Sequence, residues 1–128
     1  MTKRILVVED TEDNRQIIRD LLSSVGYELI EAMDGAEGVA MAQSQHPDLI
    51  LMDIQLPVID GYEATRRIRA IPELAQVPII AVTSYALSGD EAKTRAAGCD
   101  GYIAKPVDPQ RLATEVSHYL EQGRLKSA

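Results

Sequence analysis

The sequence predicts an α/β protein built from five strand–helix units around a parallel sheet. Three observations lead there. Short runs of apolar, β-branched residues recur along the chain, an amphipathic stretch with a helix-start signal follows each, and glycines or prolines close those stretches. Strands alternating with helices imply parallel pairing through right-handed crossovers. The 128 residues suit one domain with a core of its own, and no Gly/Ser- or Pro-rich linker divides them.

Ile5–Val8, Leu49–Met52 and Pro78–Val82 are continuous apolar runs, the pattern of strands covered on both faces. Tyr27–Ala32 and Tyr102–Ala104 are more mixed and read as edge strands. Each helix has a start. Asp13 stands three residues before Gln16, Asp34 before Glu37, Asp60 before Glu63 and Ser88 before Glu91, the spacing of a capping box. Asp108 precedes Pro109, a cap followed by proline at the first helical position. Gly26, Pro47, Pro72, Gly98 and Gly123 mark the stops. In the first helix Ile17, Ile18, Leu21, Leu22 and Val25 share one face, with Arg15, Arg19 and Ser23 elsewhere. Residues 124–128 read as a frayed tail beyond a domain of residues 1–123.

Twenty acidic against 13 basic residues give a formal charge of −7, which argues against nonspecific nucleic-acid binding. The single cysteine, Cys99, excludes an internal disulfide and a multi-cysteine zinc site, and reads as a small buried hydrophobe. The apolar runs are strand-sized, and Glu9-Asp10 interrupts the first too early for a signal-peptide core. A cytoplasmic domain away from membranes is the expectation. His46 and His118 lack partners at ligand or triad spacing and are expected at the surface. Arg66, Arg67 and Arg69 read as a solvated basic face.

In a parallel α/β sheet, ligands bind beyond the carboxyl ends of the strands. There the chain carries Glu9 and Asp10 after the first run, Asp53 after the third, Thr83 at the end of the fourth and Lys105 after the fifth. If the first and third strands are neighbours, about 4.8 Å apart, three carboxylates crowd one pocket. Like charges so close call for a cation, and oxygen ligands suit a hard divalent ion, Mg²⁺ above all. Such a pocket favours a phosphoryl group, with Lys105 neutralising charge and the Thr83 hydroxyl donating a hydrogen bond. The plainer alternative, acids acting only as helix caps, fits Asp13 and Asp34 better than Glu9, Asp10 and Asp53.

Val7-Val8-Glu9-Asp10, Leu51-Met52-Asp53-Ile54-Gln55-Leu56-Pro57, Asp60-Gly61, Val82-Thr83-Ser84 and Tyr102-Ile103-Ala104-Lys105-Pro106 resemble, in order and spacing, the motifs of the CheY-like receiver domain. Ser88-Gly89-Asp90-Glu91 and Ala97-Gly98-Cys99 are similar to stand-alone receivers of the DivK type and to receivers of hybrid kinases. The resemblance implies a flavodoxin-like (βα)₅ fold with strand order 2-1-3-4-5. It implies Asp53 as phosphoacceptor, and Mg²⁺ (or Mn²⁺ in its place) held by Glu9, Asp10, Asp53 and the backbone carbonyl of Gln55. Glu9 stands where many members have Asp, and its longer side chain suits contact through water. Thr83 and Lys105 would meet the phosphoryl group, with a cis Lys105–Pro106 peptide. Thr83 and Tyr102 would form the switch, and Gln55 and Tyr85 would set the phosphoryl lifetime.

The implied partners are a sensor histidine kinase or a histidine phosphotransfer protein, and a downstream output protein. Docking is expected around Asn14, Arg15, Pro106 and Val107, and output on about residues 88–122. With the chain ending soon after the fifth helix, no output domain is expected. The expected function is that of a stand-alone response regulator, a signalling protein that catalyses only its own phosphorylation and slow dephosphorylation. Two alternatives are an aspartate-nucleophile phosphatase and a degenerate, constitutive binding module. The first would want a second acid where Gln55 stands, and the second is opposed by the complete set Glu9, Asp10, Asp53, Thr83 and Lys105.

Overall fold

A computed structural model describes residues 2–84 and 90–123. Along the chain run β1 (Arg4–Val8), α1 (Glu12–Ser23), β2 (Glu28–Ala32), α2 (Gly35–Gln45), β3 (Leu49–Asp53), α3 (Gly61–Arg69), β4 (Ile79–Thr83), α4 (Asp90–Ala97), β5 (Gly101–Ala104) and α5 (Pro109–Gln122), with a short 3₁₀ turn at Pro72–Leu74. The five strands form one sheet in the order β2-β1-β3-β4-β5, and every pairing is parallel. All five expected strands are present, and the strand order is the one the resemblance implied.

The strands alternate their side chains between two cores. Leu6, Val8, Ile50, Met52, Ile79 and Ala81 pack with Ala42 of α2 and Ala64 and Ile68 of α3. Ile5, Val7, Leu49, Leu51, Ile80 and Ile103 pack with Ile18 and Leu22 of α1 and Leu112, Val116 and Tyr119 of α5. Burial on both faces is why β1, β3 and β4 read as unbroken apolar runs. Cys99 is buried and His46 and His118 are exposed, as expected.

Asp34, Asp60 and Asp108 cap their helices by accepting from the backbone N–H of Glu37, Glu63 and Gln110. The first helix departs from expectation. Its cap is Thr11, not Asp13, which lies inside the first turn. Its apolar face is also narrower than the sequence suggests. Ile18 and Leu22 are buried, but Ile17 is 50% and Val25 57% exposed. Arg15 turns inward instead and is buried. α1 ends at Ser23, three residues before Gly26, whose φ of +95° reverses the chain into β2. Arg69 likewise leaves the basic face, because its guanidinium bonds Asp100 and the carbonyls of Gly98, Leu74 and Val77. Arg66 and Arg67 stay exposed and pair with Glu63. The Ser88 helix start and the tail at 124–128 lie outside the described residues.

Candidate functional site

Strand register brings the site together. Val8 of β1 lies opposite Met52 of β3, so the next residues, Glu9 and Asp53, emerge side by side. Asp53 pairs with Val82 of β4, which sets Thr83 one step further out. Thr83 in turn pairs with Ala104 of β5, which sets Lys105 one step beyond that. Backbone bonds hold this stagger: Ile54 N–H donates to Val82 O at 3.1 Å, and Lys105 N–H to Thr83 O at 2.8 Å. α3 starts directly against the site, where Gly61 N–H donates to Ile54 O at 2.9 Å.

The Lys105 ammonium sits between two carboxylates, 2.8 Å from Glu9 Oε1 and 3.0 Å from Asp53 Oδ2. The other Asp53 oxygen, Oδ1, accepts from Gln55 N–H at 3.0 Å. Glu9 also accepts from Thr11 N–H at 3.0 Å and from the Asn14 amide at 3.4 Å. Glu9, Asp53 and Thr83 are buried, whereas Asp10 and Gln55 are exposed. The Lys105–Pro106 peptide is cis, as the resemblance implied.

Charge at the site is uneven. Burial works against the Lys105 ammonium, but its bonds to Glu9 and Asp53 and their negative charges outweigh that and hold its pKa above the ordinary lysine value. Asp10 has the opposite experience. Partial loss of hydration, then a hydrogen bond with Glu9 and the charge of Glu9, raise its carboxyl above the ordinary range. Glu9, Asp10 and Asp53 each offer an oxygen within 4.8 Å of the others. An all-oxygen donor set with one carboxyl resisting ionisation fits a hard divalent cation.

Beside these groups, α1 and the segment after β5 enclose a cleft of about 130 Å³. Asn14, Ile17 and Ile18 line one side, Pro106 and Val107 the other, with Glu9 and Lys105 also in its wall. Of the four residues expected to dock the phosphodonor, Asn14, Pro106 and Val107 share this cleft and Arg15 does not. Arg15 runs behind the site and donates to the backbone carbonyl of Glu9 at 2.7 Å. Sequence reasoning placed it on an outer face. No local signal marked it, because its pairing with Glu12 three residues earlier is one that exposed helix faces make as well. Tyr102 is half-buried on β5, packed against the α2–α3 core. Tyr85 lies outside the described residues.

A five-stranded 2-1-3-4-5 sheet with acids, a hydroxyl and a lysine at its carboxyl edge defines a receiver. The chain belongs to the response regulator receiver domain family of two-component signalling, whose model matches residues 5–117. It is 45% identical over 120 residues to the polar-differentiation response regulator DivK of Brucella ovis, covering 94% of this chain and 98% of that protein. The receiver domain of the sensor histidine kinase PA1611 of Pseudomonas aeruginosa superposes with a TM-score of 0.89 at 41% identity, over 94% of this chain and 99% of that one. That structure holds a magnesium ion coordinated in its active-site cleft. The chemotaxis response regulator CheY4 of Vibrio cholerae superposes with a TM-score of 0.88 at 29% identity, over 92% of this chain and 98% of that one. Among the described residues no helix is long and apolar enough to cross a membrane.

Proposed function

We propose that this chain accepts a phosphoryl group on Asp53 from a phosphohistidine, in a reaction that needs Mg²⁺, and passes the signal on by binding an output protein. The observation that carries the reading is Asp53 itself. It is a buried carboxylate at the end of a central strand, with an ammonium 3.0 Å from one oxygen and an N–H 3.0 Å from the other. In the transfer, an Asp53 oxygen bonds to phosphorus as the phosphorus–nitrogen bond breaks. The electron pair stays on the departing imidazole, leaving an acyl phosphate.

Asp10 and Asp53, with Glu9 and the Gln55 carbonyl, are the groups to hold Mg²⁺, and the chemistry it supplies when bound is neutralisation of carboxylate and phosphoryl charge. Lys105 pairs with the new phosphoryl oxygens, and the Thr83 hydroxyl donates to one of them. Movement of Thr83 toward the phosphoryl group frees space for Tyr102 to turn inward, which alters the face that an output protein reads. The phosphodonor, a sensor histidine kinase or histidine phosphotransfer protein, docks over the α1 cleft. Resemblance to the family assigns Gln55 and Tyr85 to setting the phosphoryl lifetime. Neither is a strong base at neutral pH, which favours slow self-dephosphorylation.

Intact-protein mass spectrometry after incubation with acetyl phosphate and Mg²⁺ tests the reading. One base-labile phosphoryl group is expected, and none on Asp53→Asn or in EDTA. Full labelling of Asp53→Asn would remove the assignment.

A further inference from the structure

We propose that Arg15 is a positioning residue for the cation site: it fixes the peptide between Glu9 and Asp10, and thereby the aim of the Asp10 carboxylate. This rests on the reading that Asp10 and Asp53 hold Mg²⁺. Arg15 lies on α1, yet it is only 7% exposed. Burying a guanidinium is unfavourable unless its donors are satisfied. They are. One terminal nitrogen donates to Glu9 O at 2.7 Å, the other bonds Glu12 at 2.6 Å, and Nε lies 3.4 Å from Glu31 of β2.

The Glu9 carbonyl is the last backbone acceptor before Asp10. The N–H of the same residue donates to Ala32 O of β2 at 3.0 Å. The Glu9 backbone is thus held on both sides, by β2 through its nitrogen and by Arg15 through its oxygen. Asp10 itself is exposed and has no strand neighbour to orient it. The Glu9 side chain accepts from Thr11 N–H across Asp10, and Arg15 adds the hold on Glu9 O, the oxygen of the peptide that carries Asp10. Arg19 offers a control within the same charge cluster. It bonds both oxygens of Glu31, at 2.6 and 2.7 Å, and reaches Glu12 at 3.3 Å. Among the described residues it bonds those two acids and does not reach Glu9 O.

Calorimetric titration of Mg²⁺ into the full chain separates the roles. Arg15→Met should raise the Kd for Mg²⁺ roughly tenfold or more, the usual effect of losing a group that orients a ligand. Arg15→Lys keeps the cation but cannot fork to Glu9 O and Glu12 together, so it should fall between Arg15→Met and the parent. Arg19→Met should leave the Kd unchanged while losing part of the same ion-pair cluster. Circular dichroism checks that each protein is folded, and if Arg15→Met does not fold, Arg15→Lys carries the test. Parental affinity in the folded Arg15 variant overturns the proposal, as does an equal loss in Arg19→Met. A parent chain that takes up no Mg²⁺ overturns the magnesium reading itself, and is told apart because the failure then lies in the unmutated protein.

Discussion

Lys105 Nζ lies 2.8 Å from Glu9 Oε1, and the same ammonium reaches Asp53 at 3.0 Å. One cation thus joins two carboxylates that are each only 2% exposed. Removing one member of such a set leaves the others buried without compensation, a loss of about 3–5 kcal/mol. Lys105→Ala should therefore unfold at markedly lower urea than the parent when both are in EDTA. Mg²⁺ should restore more stability to the variant than it adds to the parent, because it would meet two uncompensated carboxylates. Equal urea midpoints in EDTA would contradict the bridging role.

Asp10 lies outside that bridge, and its pKa is raised by partial loss of hydration and by Glu9. An acid whose value is higher in the folded state destabilises the fold when ionised. That penalty is present above the folded value and disappears below the unfolded one, about 3.9. In EDTA, Asp10→Asn should be more stable than the parent near neutral pH, and the difference should shrink toward zero as the pH falls past the unfolded value. Protons and Mg²⁺ compete for the same carboxylate, so stabilisation of the parent by Mg²⁺ should weaken over the same descent. Urea midpoints at several pH values, with and without Mg²⁺, measure both. An Asp10→Asn protein less stable than its parent at neutral pH would show that repulsion is not focused on Asp10.

The fold was legible because its strands are buried on both faces, so β1, β3 and β4 stand out as apolar runs without help from periodicity. Asp34, Asp60 and Asp108 were legible as caps because cap chemistry is local. Glu9, Asp10, Asp53, Thr83 and Lys105 could be picked out because each stands at a strand end, where a parallel sheet gathers its ligands. What escaped was decided by contacts between distant segments. Nothing within α1 tells that Arg15 is buried, since that depends on Glu31 of β2 and the carbonyl at the end of β1. Arg69 turns inward because Asp100, 31 residues away, accepts from it. Ile17 was assigned to the core by its spacing, but it stands beside the open cleft instead.

Gly61 begins α3 directly over the end of β3. A β-carbon there would collide with the backbone of the site, since it would lie 2.7 Å from Ile54 Cα and closer still to Asp53 O. Backbone cannot move aside as a flexible side chain can. Gly61→Ala should therefore lose about 1–3 kcal/mol of stability through overpacking. It should also slow phosphorylation of Asp53, since relief of the clash shifts the peptide that carries the acceptor. Gly26→Ala is the comparison. Its β-carbon meets nothing within 4 Å, so its penalty comes only from the positive φ, and labelling at Asp53 should proceed at the parent's rate. Equal labelling rates in parent and Gly61→Ala would show that the loop absorbs the change without moving Asp53.

Val58 holds φ at +73°, a left-handed conformation that is costly for a β-branched residue, and its side chain is 76% exposed. The strain is not repaid by packing at that side chain. It sits in the connection between Asp53 and Asp60, which has its own anchors: Gly35 N–H donates to Pro57 O at 3.4 Å, and Asp60 caps α3. The turn is thus held from its two ends, and Val58 takes the backbone angle that those ends leave. Left-handed geometry costs a residue with a β-carbon roughly 1–2 kcal/mol, and glycine avoids it. Glycine also gains freedom in the unfolded chain, which returns part of that benefit. Val58→Gly should therefore raise stability by a net ~0.5–1 kcal/mol, read as a higher urea midpoint with an unchanged slope. Val58→Asn should move in the same direction, because asparagine tolerates the left-handed region better than valine does. If both variants unfold at lower urea than the parent, the exposed valine contributes more to this turn than its backbone angle costs.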